Sequence, residues 1–65
     1  MNLHEVLSEF QRLGGDVSKV HRTGEVRMRH EALPKPITLN SRRKDAPRNA
    51  ESALRRLRQL REVTP

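Results

Sequence analysis

Two stretches of the sequence carry side chains that could bind phosphate groups. Arg27 and Arg29 alternate with apolar residues in the first, and three cations follow one another in the second, SRRKDAPRN at residues 41–49. Guanidinium and ammonium groups bind phosphate oxygens, and a basic loop that leads into a helix adds backbone N–H donors. The two stretches therefore predict a nucleic-acid-binding surface formed by Arg27, Arg29, Arg42, Arg43, Lys44 and Arg48.

The chain also has three histidines, the residue type that most often transfers protons near neutral pH. A histidine beside a bound phosphodiester could act as the general acid or base of RNA cleavage, and His21 and His30 are the candidates. His30 shares its strand parity with apolar residues, which favours a hydrogen-bonded histidine at the edge of the core. His4 is more typical of a solvated residue. With no cysteine and no metal-ligand spacing, we predict neither a metal nor another cofactor.

The charge balance favours a polyanionic partner. The 65 residues include 14 Lys and Arg against 8 Asp and Glu, a net charge of +6, and Arg12 is the only Lys or Arg before Lys19. Such a positive field is the expected feature of a nucleic-acid site. Phe10 is the single aromatic residue, so we expect recognition by charge and shape rather than by base stacking.

Two amphipathic helices are predicted at the ends of the chain. The first, over about residues 2–13, has a capping-box pattern at Asn2 and Glu5 and ends at Gly14–Gly15. The second, over about residues 47–62, follows an acidic residue and contains a proline in its first turn. Their apolar faces consist of Leu3, Val6, Leu7, Phe10 and Leu13, and of Ala50, Ala53, Leu54, Leu57 and Leu60.

Three short strands are predicted between these helices. Residues 25–31 alternate with a period of two, and residues 36–40 repeat the pattern. Residues 17–22 are less regular, which indicates a strand that is short, bulged or at an edge. Thr23–Gly24 has the composition of a tight turn. We therefore predict an α+β fold, one small domain over residues 1–65 in the order α-β-β-β-α. In this fold both helices pack on one face of a three-stranded antiparallel sheet. Formation of a homodimer would enlarge the small core.

The run KPITLNSRRKDAPRNAESALRRL, residues 35–57, resembles the HicA family of small toxins, mRNA interferases with a double-stranded-RNA-binding-like fold. In that family a third strand is followed by a basic loop, a Lys-Glu/Asp-x-Pro element and a short helix. Lys44-Asp45-Ala46-Pro47 is similar to that element. The family's catalytic histidine opens the second strand, whereas this chain has Thr23-Gly24-Glu25-Val26 there. The resemblance implies RNA binding and an antitoxin partner, and the missing histidine implies loss of catalysis.

We therefore expect a small nucleic-acid-binding protein without catalysis, and RNA is favoured over DNA. One alternative is an active endoribonuclease, an mRNA interferase toxin that uses His21 or His30. Another is an interaction module whose basic face binds an acidic protein such as an antitoxin. No apolar run is long enough to span a bilayer and no signal-peptide core is present, so we expect no membrane contact and a cytoplasmic location.

Overall fold

The chain folds into two helices and three strands in the predicted order. In the computed structural model, α1 spans Leu3–Arg12, β1 Asp16–Val20, β2 Glu25–Arg29, β3 Ile37–Asn40 and α2 Ala46–Val63. The structure describes residues 1–63, with side chains up to residue 60. The predicted domain also included residues 64–65, which lie outside the described residues. The predicted α+β class and the α-β-β-β-α order are confirmed.

The sheet is antiparallel, with β2 in the centre and β1 and β3 at the edges. The helices cover one face of it, α1 beside β1 and α2 beside β3. The predicted edge position of β1 is therefore confirmed. Burial of one apolar face by both helices forms a single core, which consists of Val6, Leu7, Phe10, Val26, Met28, Leu33, Leu39, Ala46, Ala50, Ala53, Leu54 and Leu57.

Helix α1 is defined at both ends by hydrogen bonds that the sequence predicts. Asn2 Oδ1 accepts the N–H of Glu5 at 2.8 Å, and a Glu5 carboxylate oxygen accepts the N–H of Asn2 at 3.3 Å, which completes a capping box. At the other end Gly14 has a φ of +91° and donates its N–H to Gln11 O at 3.0 Å. This left-handed position after the last turn is the one that glycine occupies most readily.

Strands β1 and β2 each end two residues earlier in the sequence than predicted. The carbonyl of Val20 accepts the N–H groups of Thr23 and Gly24, so residues 21–24 form a turn and do not extend β1. The carbonyl of His30 accepts the N–H of Leu33 at 2.9 Å, which turns the chain away from β2. Because Leu33 is buried, this second turn adds a side chain to the core that the periodicity did not predict.

The turn between β1 and β2 is held by the residues that follow β3. Gly24 has a φ of +82°, and its carbonyl accepts the N–H of Ser41 at 2.7 Å. Asn40 Nδ2 donates to the carbonyl of Thr23 at 3.2 Å. A Cβ atom at Gly24 would lie 2.8 Å from Asn40 Oδ1. The turn and the end of β3 are thus in contact through backbone and side-chain atoms.

A carboxylate on α1 connects the two helices. Glu9 accepts hydrogen bonds from Arg12 on its own helix and from Arg58 Nη2 of α2, the latter at 3.2 Å. The hydrogen bond from Arg12, followed by the charge of Arg12 and the contact with Arg58, lowers the pKa of Glu9. Its ionised form is therefore favoured by the folded state.

Neither helix in residues 1–63 is both long and apolar enough to cross a membrane.

Replacing Gly24 by alanine is expected to lower the free energy of unfolding by about 1–3 kcal/mol. The added Cβ disfavours the positive φ and meets Asn40 Oδ1 at 2.8 Å. Urea denaturation would measure the change. Ser18→Ala, at an exposed strand position, serves as the control and is expected to stay within about 0.5 kcal/mol of the unmodified chain. A Gly24→Ala protein as stable as that control would contradict the importance of the turn.

Acidification is expected to destabilise the unmodified protein more than Glu9→Gln. Because folding lowers the pKa of Glu9, its contribution is complete above the ordinary carboxyl pKa of about 4.3 and is lost as the pH falls through the lower folded value. Thermal unfolding midpoints between about pH 7 and pH 3 would show a steeper acid decline for the unmodified chain. Glu31→Gln removes an exposed carboxylate with no described partner and should keep that decline. If the unfolding midpoints of Glu9→Gln and the unmodified protein fell equally with acidification, the contribution of ionised Glu9 to stability would be refuted.

Candidate nucleic-acid interface

The structure separates the six predicted phosphate-binding cations into three groups, and all six are exposed. Arg27 and Arg29 lie on the sheet face that the helices leave open, and Arg42 lies against the β1–β2 turn. Arg43 and Lys44 lie in the loop between β3 and α2, and Arg48 lies in the first turn of α2.

Arg27 occupies the centre of the open sheet face. Its partner on β1 is Ser18 and its partner on β3 is Thr38, so that a guanidinium lies in a row between two hydroxyl groups. Directly opposed side chains in such a sheet have Cβ atoms about 5 Å apart. This row presents only hydrogen-bonding groups and one positive charge, as a phosphate site requires.

The rest of the open face is electrically mixed. Arg29 is opposite Asp16 on β1, and Glu25 shares the outward parity of Arg27 and Arg29 on β2. Two arginines are therefore accompanied by two carboxylates. The open face alone does not account for the positive charge of the chain.

A groove of about 590 Å³ connects the open face to the loop before α2. Thr38 and Asn40 line it from β3, and Arg43 and Asn49 line it from the other side. Arg43 Nε also donates to Asp45 at 3.2 Å. Because Thr38 is next to Arg27, the groove brings a predicted loop cation and a predicted sheet cation to one surface.

The backbone of the loop before α2 contributes less to this site than the sequence predicts. The amides of Arg42 and Arg43 already donate to Asn40, and the amide of Ala46 donates to the carbonyl of Arg43. Asp45 precedes the first helical residue as predicted, but its carboxylate pairs with Arg43. Phosphate binding here would therefore depend on side chains rather than on a cradle of free N–H groups.

Arg42 supports the turn between β1 and β2. Its Nη2 donates to the carbonyl of Arg22 at 3.0 Å and to the carbonyl of His21 at 3.3 Å. The guanidinium keeps its charge and its other N–H donors, but its position is fixed by the protein. Arg42 is thus first a structural residue, and a substitution there would mix a loss of stability with any loss of binding.

His30 is hydrogen-bonded through both ring nitrogens, as expected for a histidine at the edge of the core. Nδ1 accepts the N–H of Ala32 at 2.9 Å, so Nε2 carries the proton and donates to the carbonyl of Leu13 at 3.0 Å. The ring also meets Phe10 edge to face, with centroids 6.2 Å apart. Neither nitrogen is free to exchange a proton with a substrate in this arrangement.

His21, the other candidate for catalysis, lines a cleft of about 280 Å³ between the start of α1 and the β1–β2 turn. His4, Lys19 and Arg42 line the same cleft. The sequence predicted a solvated His4 and gave no prediction of the cleft. The available signal was the position of Lys19 relative to the predicted Thr23–Gly24 turn, because a hairpin closed there pairs Lys19 with Val26 and places it on the helix side of the sheet.

The cleft and the groove lie at the same end of the molecule. Asn40, the last residue of β3, pairs with Glu25, the first residue of β2, and Glu25 lines both depressions. We call this region, residues 19–26 and 40–48, the turn end. His30 and the loop containing Lys35 lie at the other end of the sheet.

Helix α2 carries further exposed cations besides the six predicted phosphate-binding residues. Arg55 and Arg56 have no described hydrogen bond or ion pair, whereas Arg58 binds Glu9. Arg55 follows Arg48 by seven residues, about two helical turns, so both lie on one side of α2. That spacing was the signal from which this basic side could have been predicted.

Neither family models, nor curated proteins, nor solved structures provide a match to this chain. The resemblance to the HicA family therefore stays a prediction.

Replacing His30 by alanine is expected to lower the free energy of unfolding by about 1–3 kcal/mol, because two polar backbone groups lose their partner. His21→Ala is the matched control, since the His21 side chain has no described hydrogen bond, and it should change stability by less than about 0.5 kcal/mol. Chemical denaturation of both variants would measure these changes in the free energy of unfolding. Equal stability of the two would remove the structural role assigned to His30.

Proposed function

We propose that this chain is a nucleic-acid-binding protein that prefers RNA and does not cleave it. The observation that carries the proposal is the number of exposed cations that the protein itself does not neutralise. Within residues 1–60, the cationic side chains with neither an ion pair nor a hydrogen bond are Lys19, Arg22, Arg27, Arg29, Lys35, Lys44, Arg48, Arg55 and Arg56.

This uncompensated charge favours a polyanion over other partners. Like charges on a small surface repel one another, and contact with phosphates relieves that repulsion while releasing counterions from the nucleic acid. Phe10 is completely buried, so no phenylalanine, tyrosine or tryptophan surface is available to stack bases. Contacts to phosphates are therefore expected to supply most of the binding free energy.

The turn end is the best candidate for the centre of contact. Its loop and the first turn of α2 carry Lys44 and Arg48 without partners, next to Arg43 and Arg42. Asp45 is the single acidic residue among residues 41–48. The local surplus of positive charge is larger here than on the open sheet face, where Asp16 and Glu25 offset the arginines.

The preference for RNA and the lack of cleavage rest on different observations. RNA is favoured by the resemblance of residues 35–57 to the HicA family. Lack of cleavage is favoured by the second strand, where Glu25 and the buried Val26 stand in place of the family's histidine. The occupied ring nitrogens of His30 support the same conclusion.

An endoribonuclease is the second candidate, and one observation favours it. His4 and His21 line the same cleft as Lys19. Two imidazoles beside a cation could supply the base for a 2′-hydroxyl, the acid for the leaving oxygen, and charge stabilisation. In that case cleavage would require His21 and would not require a free His30.

Replacing both Lys44 and Arg48 by alanine is expected to reduce the salt dependence of RNA binding. Each lost phosphate contact lowers the magnitude of the slope of log K against log salt by about 0.7–0.9, so the double variant should lose about 1.4–1.8. Titrations of labelled double-stranded RNA, single-stranded RNA and duplex DNA at several salt concentrations would measure the slope. Gel analysis of the same samples would detect cleavage.

Lys35→Ala combined with Arg56→Ala is the matched control, because it removes the same charge from residues that line a depression away from the turn end. Its slope should change by less than that of the Lys44 and Arg48 variant. An equal change of the salt slope in the two double variants would mean that the main phosphate contact lies outside the turn end. RNA cleavage that disappears in His21→Ala would establish the ribonuclease, and salt-insensitive binding to an acidic protein alone would refute nucleic-acid binding.

A further inference from the structure

We propose that the cleft at the turn end binds one unpaired nucleotide of an RNA strand, with its base against the apolar floor and its phosphate at the cationic rim. The inference rests on the proposed function and specifies which feature of the RNA is recognised. It follows from three properties of the cleft: its floor, its charge and its size.

The floor of the cleft is apolar. Leu3 and Leu7 line it from α1, and Val26 lines it from β2. Leu7 and Val26 belong to the core and are 4% and 2% exposed, while Leu3 is partly buried against the core. A flat heterocycle placed on this floor would remove its own apolar surface and the exposed part of Leu3 from water.

The rim of the cleft carries two cations. Lys19 and Arg42 line it together with His4 and His21, and Glu25 is the one carboxylate in the lining. Arg42 uses Nη2 for the turn carbonyls and retains other N–H donors, while Lys19 has no described partner. An apolar floor beside positive charge matches a nucleotide, which combines an uncharged base with an anionic phosphate.

The size of the cleft sets the extent of the ligand. Its volume of about 280 Å³ is just below the range of about 300–1,000 Å³ that small-molecule pockets occupy. One nucleotide base fits such a space, whereas a stretch of duplex does not enter it. Recognition of single bases outside a helix is the usual way in which proteins distinguish RNA sites.

The exposed histidines provide a stacking surface in a chain that otherwise lacks one. Imidazole rings are among the side chains on which unpaired bases stack. His4 and His21 are exposed and line the cleft, whereas Phe10 is buried and His30 is held by Leu13 and Ala32. The cleft is therefore the site at which the described residues could hold a base by both stacking and charge.

Lys19 also has a purely structural interpretation. A charged side chain on the helix-facing side of an edge strand discourages pairing of that strand with another chain. That interpretation explains the position of Lys19 on β1 but does not explain why two histidines and Arg42 line the same space. Replacement of Lys19 with measurements of RNA binding distinguishes the two roles.

Ring resonances of the three histidines provide a direct test by NMR, because two of them line the cleft and the third lies at the other end of β2. Two RNA duplexes with the same number of phosphates would be titrated, one fully paired and one with a single bulged nucleotide. The bulged duplex should shift the signals of His4 and His21 and leave those of His30 unchanged. It should also bind about tenfold more tightly, the gain that one stacked base provides.

Lys19→Ala combined with His4→Ala should abolish this preference for the bulged duplex. The paired duplex should still bind in a salt-sensitive way, with a salt slope smaller by about 0.7–0.9, which is what one lost cation accounts for. Both residues are exposed and have no described hydrogen bond, so the variant should fold. Lys35→Ala is the control and should keep the tenfold preference.

Three outcomes would overturn the proposal. Equal affinity of the unmodified protein for the two duplexes would reject the cleft as a nucleotide site and leave nucleic-acid binding intact. Equal shifts of all three histidines would indicate a global change rather than contact. Shifts of His4 and His21 with an acidic peptide, and no binding of either RNA, would reject the cleft proposal together with the proposed function.

Discussion

Contact between the end of β3 and the β1–β2 turn is the constraint on which most of this structure depends. Asn40, Ser41 and Arg42 supply side-chain and backbone donors to the carbonyls of residues 21–24. Gly24 makes the approach feasible because a side chain there would meet Asn40 and Arg42. This contact closes one end of the sheet and directs the chain from β3 into α2. It also places the walls of the cleft and the groove on either side of Glu25.

The small number of acidic residues gives the cations two different functions. Arg12 and Arg58 share Glu9, and the contact from Arg58 connects the helices. Arg42 binds carbonyl groups instead of a carboxylate. Few carboxylates remain for the others, so the remaining cations stay exposed and uncompensated.

Local patterns made most of the fold predictable from the sequence. The capping box at Asn2, the glycine at the end of α1 and the alternation around Met28 each depend on neighbouring residues, and each is present in the structure. Strands β1 and β2 end two residues earlier than predicted because the turn hydrogen bonds to the carbonyls of Val20 and His30 are not visible in hydrophobic periodicity. Leu33 entered the core from a loop, where no periodicity exists.

The candidate site was less predictable because its parts are distant in sequence. His4 and His21 line one cleft only because α1 crosses the helix side of the sheet near the β1–β2 turn. The use of Arg42 as a support for the turn depends on a contact across 20 residues. The exposure and the positive charge of the six phosphate-binding candidates could be predicted from the sequence. The side chains and carbonyl groups that they contact could not.

Under the proposed function, the position of the turn end would let one strand of nucleic acid contact both depressions. The pairing of Asn40 with Glu25 places the last residue of β3 beside the first residue of β2, so cleft and groove flank the same strand end. Arg42 lies in the cleft lining and Arg43 in the groove lining, although they are adjacent in sequence. A backbone that crosses this end would therefore meet the Arg42 guanidinium on one side of Glu25 and the Arg43 guanidinium on the other. The open sheet face, with Asp16 and Glu25 beside its arginines, offers no comparable path.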